Sequence, residues 1–349
     1  LASYLEKRPS LHLDDYIAER EQVCEILTAV RQRGDAALKE LTARYDGAAL
    51  AELRVGEAEV EAAAEAVESS LAAALRSAKE NIEKFHRRQL LSSWWESGPG
   101  CLVGQRRRPL RSIGAYIPGG TASYPSSVLM TVLPARVAGV KEIYLCTPPA
   151  ADGSIPALTL LAAREAGATA VFKAGGAQAV AALAYGTETI PAVSKIVGPG
   201  NLYVTLAKRE LFGRVGIDLL AGPSEIVVVA DARANPAYIA ADLLSQAEHD
   251  ILARPVLVTT SADLARQVGR ELQKQLQDLP RMEIAGRSLK EQGAVLLVST
   301  LEEAWRAVNT LAPEHLELQV ADPWRHLDAI ENAGAIFIGP HTPEAVGDY

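Results

Sequence analysis

"EIVVVADARANPAYIAADLLSQAEHDILARPVLVTT", residues 225–260, decides the fold. Two apolar runs, "EIVVVAD" (225–231) and "RPVLVTT" (254–260), flank a segment with the spacing of a helix. Strands this uniformly apolar are covered on both faces, the condition of a parallel strand with helices above and below it. The same texture begins near residue 111. "KEIYLCTPP" (141–149), "TAVFKAGG" (169–176), "SKIVGPG" (194–200), "GAVLLVST" (293–300) and "GAIFIG" (334–339) alternate with amphipathic stretches. So many strands fit poorly into one sheet of a domain this size. The expectation is an α/β protein with two open parallel-sheet domains and a central cleft, with a small-molecule site near the carboxyl ends of the strands.

Ahead of the strands the pattern is helical. "DDYIAEREQVCEILTAVRQRG" (14–34) has apolar residues at helical spacing and stops on Gly34, a natural residue just past a helix end. A second helix runs from Asp35 to "YDG", and the Ala- and Glu-rich run 57–90 has high helix propensity without a persistent heptad. A packed helical layer is the reading.

Composition excludes several classes. The 349 residues suffice for two cores, and 48% hydrophobic with 22% charged residues is ordinary for a globular enzyme. A net charge of −8 argues against nucleic acid as partner, since nothing offsets phosphate repulsion. The basic run "QRRRPLRS" (105–112) reads as a solvated strand edge. Cys24, Cys101 and Cys146 are widely spaced, as in a cytoplasmic protein with reduced thiols. No stretch approaches the roughly 18 apolar residues of a membrane span, and no signal peptide is visible. The chain opens on Leu1 and stops at "AVGDY", so both ends read as cut.

Glycine-rich turns fall where the strands end: "IPGGTASYPSS" (117–127), "KAGGAQAVAALAYG" (173–186), "VGPGNLYV" (197–204) and "LLAGPSEIVV" (220–229). Glycine lets backbone approach a ligand, and a following helix offers free N–H groups to an anion. No segment is GxGxxG or GxxxxGK[ST], so no standard nucleotide fingerprint is present, and any one of these loops alone is equally a tight turn. Three further segments carry ionisable groups. "LAPEHLEL" (311–318) sets Glu314 beside His315, a carboxylate next to a base that titrates near neutrality. "DLLSQAEH" (242–249) sets Gln246 and His249 three apart at a helix end, where both can ligate a metal; polar residues facing solvent is the alternative. "GPHTPEAVGDY" (339–349) adds Asp348.

Together these segments are specific. "YIPGG", "GGAQAVAALAYGTE", "IVGPGN", "AGPSE", "DLLSQAEH", "APEHLEL" and "PEAVGDY", in this order, closely resemble the histidinol dehydrogenase family from about residue 12 to the last residue. The resemblance implies oxidation of L-histidinol to L-histidine through L-histidinaldehyde, the last two steps of histidine biosynthesis, with two NAD and one zinc ion per site. It implies Gln246, His249 and Asp348 as zinc ligands. The fourth is a His from a C-terminal tail that this sequence lacks and that the partner supplies in an interlocked homodimer. Gln246, His249, His315 and Asp348, with Ser224, would also meet substrate, through the zinc in the case of its ligands. His315 would be the general base, Glu314 would activate water for the second oxidation, and Tyr116, Gln178 and Asn201 would contact NAD on a Rossmann-like scaffold. The domain expectation is an arm over 1–25, a discontinuous first domain over 26–112 and 225–349, and a second over 113–224. A paralogous zinc- and NAD-dependent dehydrogenase of another small alcohol, such as a sulfonated diol, is the nearest alternative. A zinc hydrolase and a non-catalytic nucleotide-binding module are the more distant ones.

Overall fold

The structure, a computed structural model, describes residue 4 and residues 13–119, 123–220 and 222–348, with the side chain of Asp348 outside the described set. Parts of the "IPGGTASYPSS" and "LLAGPSEIVV" loops, residues 120–122 and 221, also lie outside it. Among the described residues the chain forms two compact units, one of residues 13–220 and one of residues 222–348 together with Tyr4.

The N-terminal unit opens with four helices: α1 (Ile17–Arg33), α2 (Asp35–Tyr45), α3 (Glu57–Ala66) and α4 (Ser69–Arg87). Gly34 separates the first two at φ +52°, a conformation that favours glycine. An antiparallel hairpin follows, β1 (Trp94–Gly98) with β2 (Cys101–Gln105). Then come β3 (Ser112–Tyr116), α5 (Pro125–Val137), β4 (Glu142–Thr147), α6 (Ala157–Ala166), β5 (Ala170–Lys173), α7 (Gly176–Tyr185), β6 (Lys195–Val197), α8 (Leu202–Leu211) and β7 (Gly216–Ile217). The five strands β3–β7 are all parallel in the order β5-β4-β3-β6-β7. Alternate residues divide between the faces, as the strand period of two demands. Tyr116, Cys146 and Phe172 pack with α1, α2, α7 and α8, while Ile113, Ala115, Ile143, Leu145 and Val171 pack with α3–α6.

The C-terminal unit repeats the plan. It contains β8 (Glu225–Ala230), α9 (Pro236–Ala247), β9 (Arg254–Thr259), α10 (Ala262–Leu276), α11 (Met282–Glu291), β10 (Ala294–Leu297), α12 (Leu301–Leu311), β11 (His315–Gln319) and β12 (Ala335–Ile338). Its parallel order is β10-β9-β8-β11-β12, the same winding as the first sheet. Val227 and Val229 face α12 while Ile226 and Val228 face α9 and α10, so "EIVVVA" is apolar throughout because both faces are covered. Side chains of Asn201, Asn235, Ser261 and Thr300 cap α8, α9, α10 and α12, each accepting from a backbone N–H of the first turn.

Two expectations change. The helices of residues 17–87 belong with the sheet of residues 112–217 and not with that of 225–338, because their apolar stripes fill the two faces of the first sheet. The basic run is an exposed connector over 106–110 joining the hairpin to β3, not a strand edge. The hairpin itself was not anticipated. Among the described residues no helix is long and apolar enough to cross a membrane.

Candidate functional site

In a doubly wound sheet the chain leaves the first strand in one direction and later returns to its other side, opening a crevice at the carboxyl ends of the two strands that part. In the N-terminal unit those strands are β3 and β6. Tyr116 ends β3, is 4% exposed, and its hydroxyl accepts a hydrogen bond from the Gly176 amide at 3.1 Å. Burial pushes its phenol up to about 12, the Gly176 contact opposing the shift and the Asp46 carboxylate adding to it. Gln178 follows in the first turn of α7, buried, behind Gly176 at φ +59°. After β6, Gly198 adopts φ +110°, and a Cβ there would collide with the carbonyl oxygen of Tyr116. Only glycine lets the 198–201 segment lie so close to β3.

A buried pair clamps that segment. Lys208 Nζ, 4% exposed at its side chain, donates to the Gly198 carbonyl at 2.5 Å and to Asp218 Oδ1 at 2.7 Å. Asp218 Oδ2 in turn accepts from the Gly198 amide at 2.8 Å. Asn201 sits at the N-cap of α8, its Oδ1 accepting from Val204 N at 3.1 Å. Tyr116, Gln178 and Asn201 therefore all follow strand carboxyl ends of one sheet, as expected.

The C-terminal unit departs from that expectation. Its candidate residues lie at the amino ends of the strands. Ser224 immediately precedes β8, and its carbonyl accepts from Arg254 N at 2.9 Å. Glu314 precedes β11 and His315 begins it. Glu314 Oε2 accepts from the Glu225 amide at 3.2 Å, and Glu225 pairs with the nearly buried Arg254 at 2.8 Å. His315 Nδ1 lies 3.9 Å from Glu314 Oε2, beyond hydrogen-bond range, and is buried without a hydrogen-bond partner. The ring leans on Phe337 at 5.8 Å. The carboxyl-end crevice of this sheet is closed instead by Asp231, which accepts from the Ala321 and Arg233 amides.

Gln246 and His249 do not share a helix face. α9 ends at Ala247, Glu248 is its C-cap, and His249 sits exposed in the turn beyond, its amide donating to the Gln246 carbonyl. Gln246 is 1% exposed and its Oε1 has no hydrogen-bond partner, a donor atom fit for a metal ion. Asp348 ends the last 3-10 turn (Glu344–Asp348), its side chain outside the described set. Among the described residues no three His, Cys, Asp or Glu side chains gather as a metal cluster.

Sequence reading missed an acidic cluster beneath this edge. Asp242, one helical turn before Gln246, is hydrogen-bonded to Glu317, which shares a strand face with His315. Glu317 Oε1 accepts from Gln319 Nε2 at 2.8 Å, and Ser245 Oγ donates to Glu344 Oε2 at 3.0 Å. Burial, then Asp242, push Glu317 up to about 9; burial also raises Asp242, with Glu344 adding repulsion. Burial and the neighbouring Asp242 thus favour the protonated form of Glu317. The pattern Asp-x-x-x-Gln on a helix and His-x-Glu on a strand was its only trace in the sequence.

The family model described as "Histidinol dehydrogenase" matches residues 8–349. Histidinol dehydrogenase of Moorella thermoacetica is 57% identical over 331 residues, covering 94% of this chain and 78% of that protein. That of Heliobacterium mobile is 51% identical over 352 residues, covering 98% and 82%. The crystal structure of histidinol dehydrogenase from Elizabethkingia anophelis superposes with a TM-score of 0.91 at 40% identity, covering 94% of this chain and 76% of that one.

Proposed function

From the premise that the chain belongs to the histidinol dehydrogenase family, we infer that it oxidises L-histidinol to L-histidine through L-histidinaldehyde, reducing two NAD. In this reading His315 is the general base that takes the hydroxyl proton as hydride leaves for NAD. Glu314 activates the water that hydrates the aldehyde, and His315 removes a second proton from the hydrate. The observation that carries the assignment is the proximity of the two at the amino end of β11, 3.9 Å apart. The Glu225 amide anchors the Glu314 carboxylate, and Phe337 backs the His315 ring.

Tyr116, Gln178 and Asn201 serve NAD in the N-terminal unit, and Ser224 serves substrate. Gln246, His249 and Asp348 would hold a zinc ion, completed by a His from the partner subunit of a homodimer. When bound, the ion supplies a template that holds the substrate's nitrogen ligands. The unpartnered Gln246 Oε1 supports that part of the reading. A cytoplasmic location belongs to it as well, in keeping with three free cysteines.

The experiment is oxidation of L-histidinol with NADH counted against substrate consumed. Two NADH per histidinol are expected. His315→Asn should slow both oxidations by about 10²–10⁴-fold. Glu314→Gln should slow the aldehyde step more than the alcohol step. Equal losses in the two steps would remove Glu314 from water activation, and a chain inert to histidinol but active on another alcohol would replace the substrate.

A further inference from the structure

A dinucleotide on an open doubly wound sheet places a ribose near the carboxyl end of the second strand, where a carboxylate accepts its hydroxyls. In the N-terminal unit that strand is β4, and the tail after it carries one acid, Asp152. Asp152 is committed to its own turn, accepting from the Ser154 amide at 2.9 Å and the Ser154 hydroxyl at 2.6 Å. Another carboxylate occupies the ground beside β4. Asp46 ends α2, and a Cβ built on Gly175 would lie 3.2 Å from Asp46 Oδ1 and 2.6 Å from Cβ of Pro148. The end of α2, the residue after β4 and the N-cap of α7 thus converge on one point beside Tyr116.

At that point Asp46 lacks what buried carboxylates normally have. Its Oδ2 is buried and accepts no hydrogen bond. Lys173, the cation at the end of β5, is already paired with Glu59 at 2.9 Å. Burial holds the Asp46 carboxyl up at about 6, with no charged partner drawing it back, so it is ionised at neutral pH. A partly desolvated, unpaired carboxylate is unfavourable in the free protein, and a ligand that brings hydroxyl donors relieves it.

We propose that Asp46 accepts hydrogen bonds from a ribose of NAD and, by its charge, turns away a dinucleotide bearing a 2′-phosphate. The assignment rests on the reading of this crevice as the cofactor site. It makes Asp46 a determinant of cofactor choice, reached from a helix end rather than from the strand tail.

Calorimetric titration of NAD and NADP into the whole chain tests it. The unaltered protein should bind NAD more tightly than NADP, and AMP should compete with NAD where 2′,5′-ADP does not. Asp46→Asn and Asp46→Ala should weaken NAD by about 10- to 100-fold, the span of a hydrogen bond to a charged group. NADP should weaken less or tighten, so that the preference collapses. Thermal melting of both variants should show no loss, since an unpaired charge has been removed. Unchanged NAD affinity, or equal weakening of both cofactors, would overturn the proposal, as would equal competition by AMP and 2′,5′-ADP with the unaltered protein. A chain that binds NAD yet leaves histidinol untouched would refute the functional reading and leave this one to its own titrations. A chain that binds no NAD would refute both.

Discussion

Glu317→Gln replaces the protonated member of the buried carboxyl pair with a neutral group of the same shape. The amide oxygen can accept from Gln319 Nε2 as the carboxyl does, and its nitrogen can donate toward the Asp242 carboxylate. In the native protein the Glu317 pKa stands at about 9 against an ordinary value of 4.5, with burial the first cause and Asp242 the second. The folded state therefore holds a proton that the unfolded chain releases. Its stabilising contribution is complete below about pH 4.5 and is lost as pH rises toward 9. One proton changes stability by at most about 1.4 kcal/mol per pH unit, so roughly 3 kcal/mol should drain away between pH 5.5 and 8. The variant has nothing to release at this position, since an amide does not titrate. Urea midpoints across that pH range should fall for the native chain and stay nearly level for Glu317→Gln, with the variant the more stable at pH 8. Parallel curves for the two proteins would refute a Glu317 carboxyl that stays protonated at neutral pH.

Gly198→Ala should cost about 3 kcal/mol or more, because φ is +110° and the obstacle is a backbone carbonyl that cannot turn aside. Melting temperature and NAD affinity should fall together, and a silent substitution would mean that the 198–201 segment is free to move. His249→Ala should lose zinc, read by metal analysis of the purified protein, while its melting curve in chelator matches that of the native chain. A cooperative collapse of the variant would mark the ion as structural.

The sheets were readable because parallel strands covered on both faces leave unbroken apolar runs, and both runs of residues 225–260 became adjacent strands. Capping by Asn235 and Ser261 was not read from the sequence, although it depends only on residues next in the chain. What else escaped depends on contacts across the chain. Helix stripes over 17–87 show that a face is buried but not which sheet receives it. The expected small-molecule site near the strand carboxyl ends does not hold for Ser224, Glu314 and His315, since each precedes or begins its strand, at the amino edge. Asp242 and Glu317 are 75 residues apart, and only the packing of α9 on the sheet brings the two carboxyls together. Asp46 lies in the "YDG" where the second helix stops, and nothing local shows that Gly175 and Pro148 approach it.

The hairpin of β1 and β2 gives the protein an optical signature. Its ten residues are all exposed, and Trp94 and Trp95 stand 50% and 59% open to solvent. Trp324 is 71% exposed, whereas Trp305 is buried against the His326 ring. Three of the four indoles thus emit from water, and a long-wavelength fluorescence maximum follows for the isolated chain. Trp94 and Trp95 are successive strand residues and face opposite sides of the hairpin, so a molecule that comes to rest on either face dries one indole, and emission will shift to the blue while acrylamide quenching falls. The arm reports its own occupancy without a label.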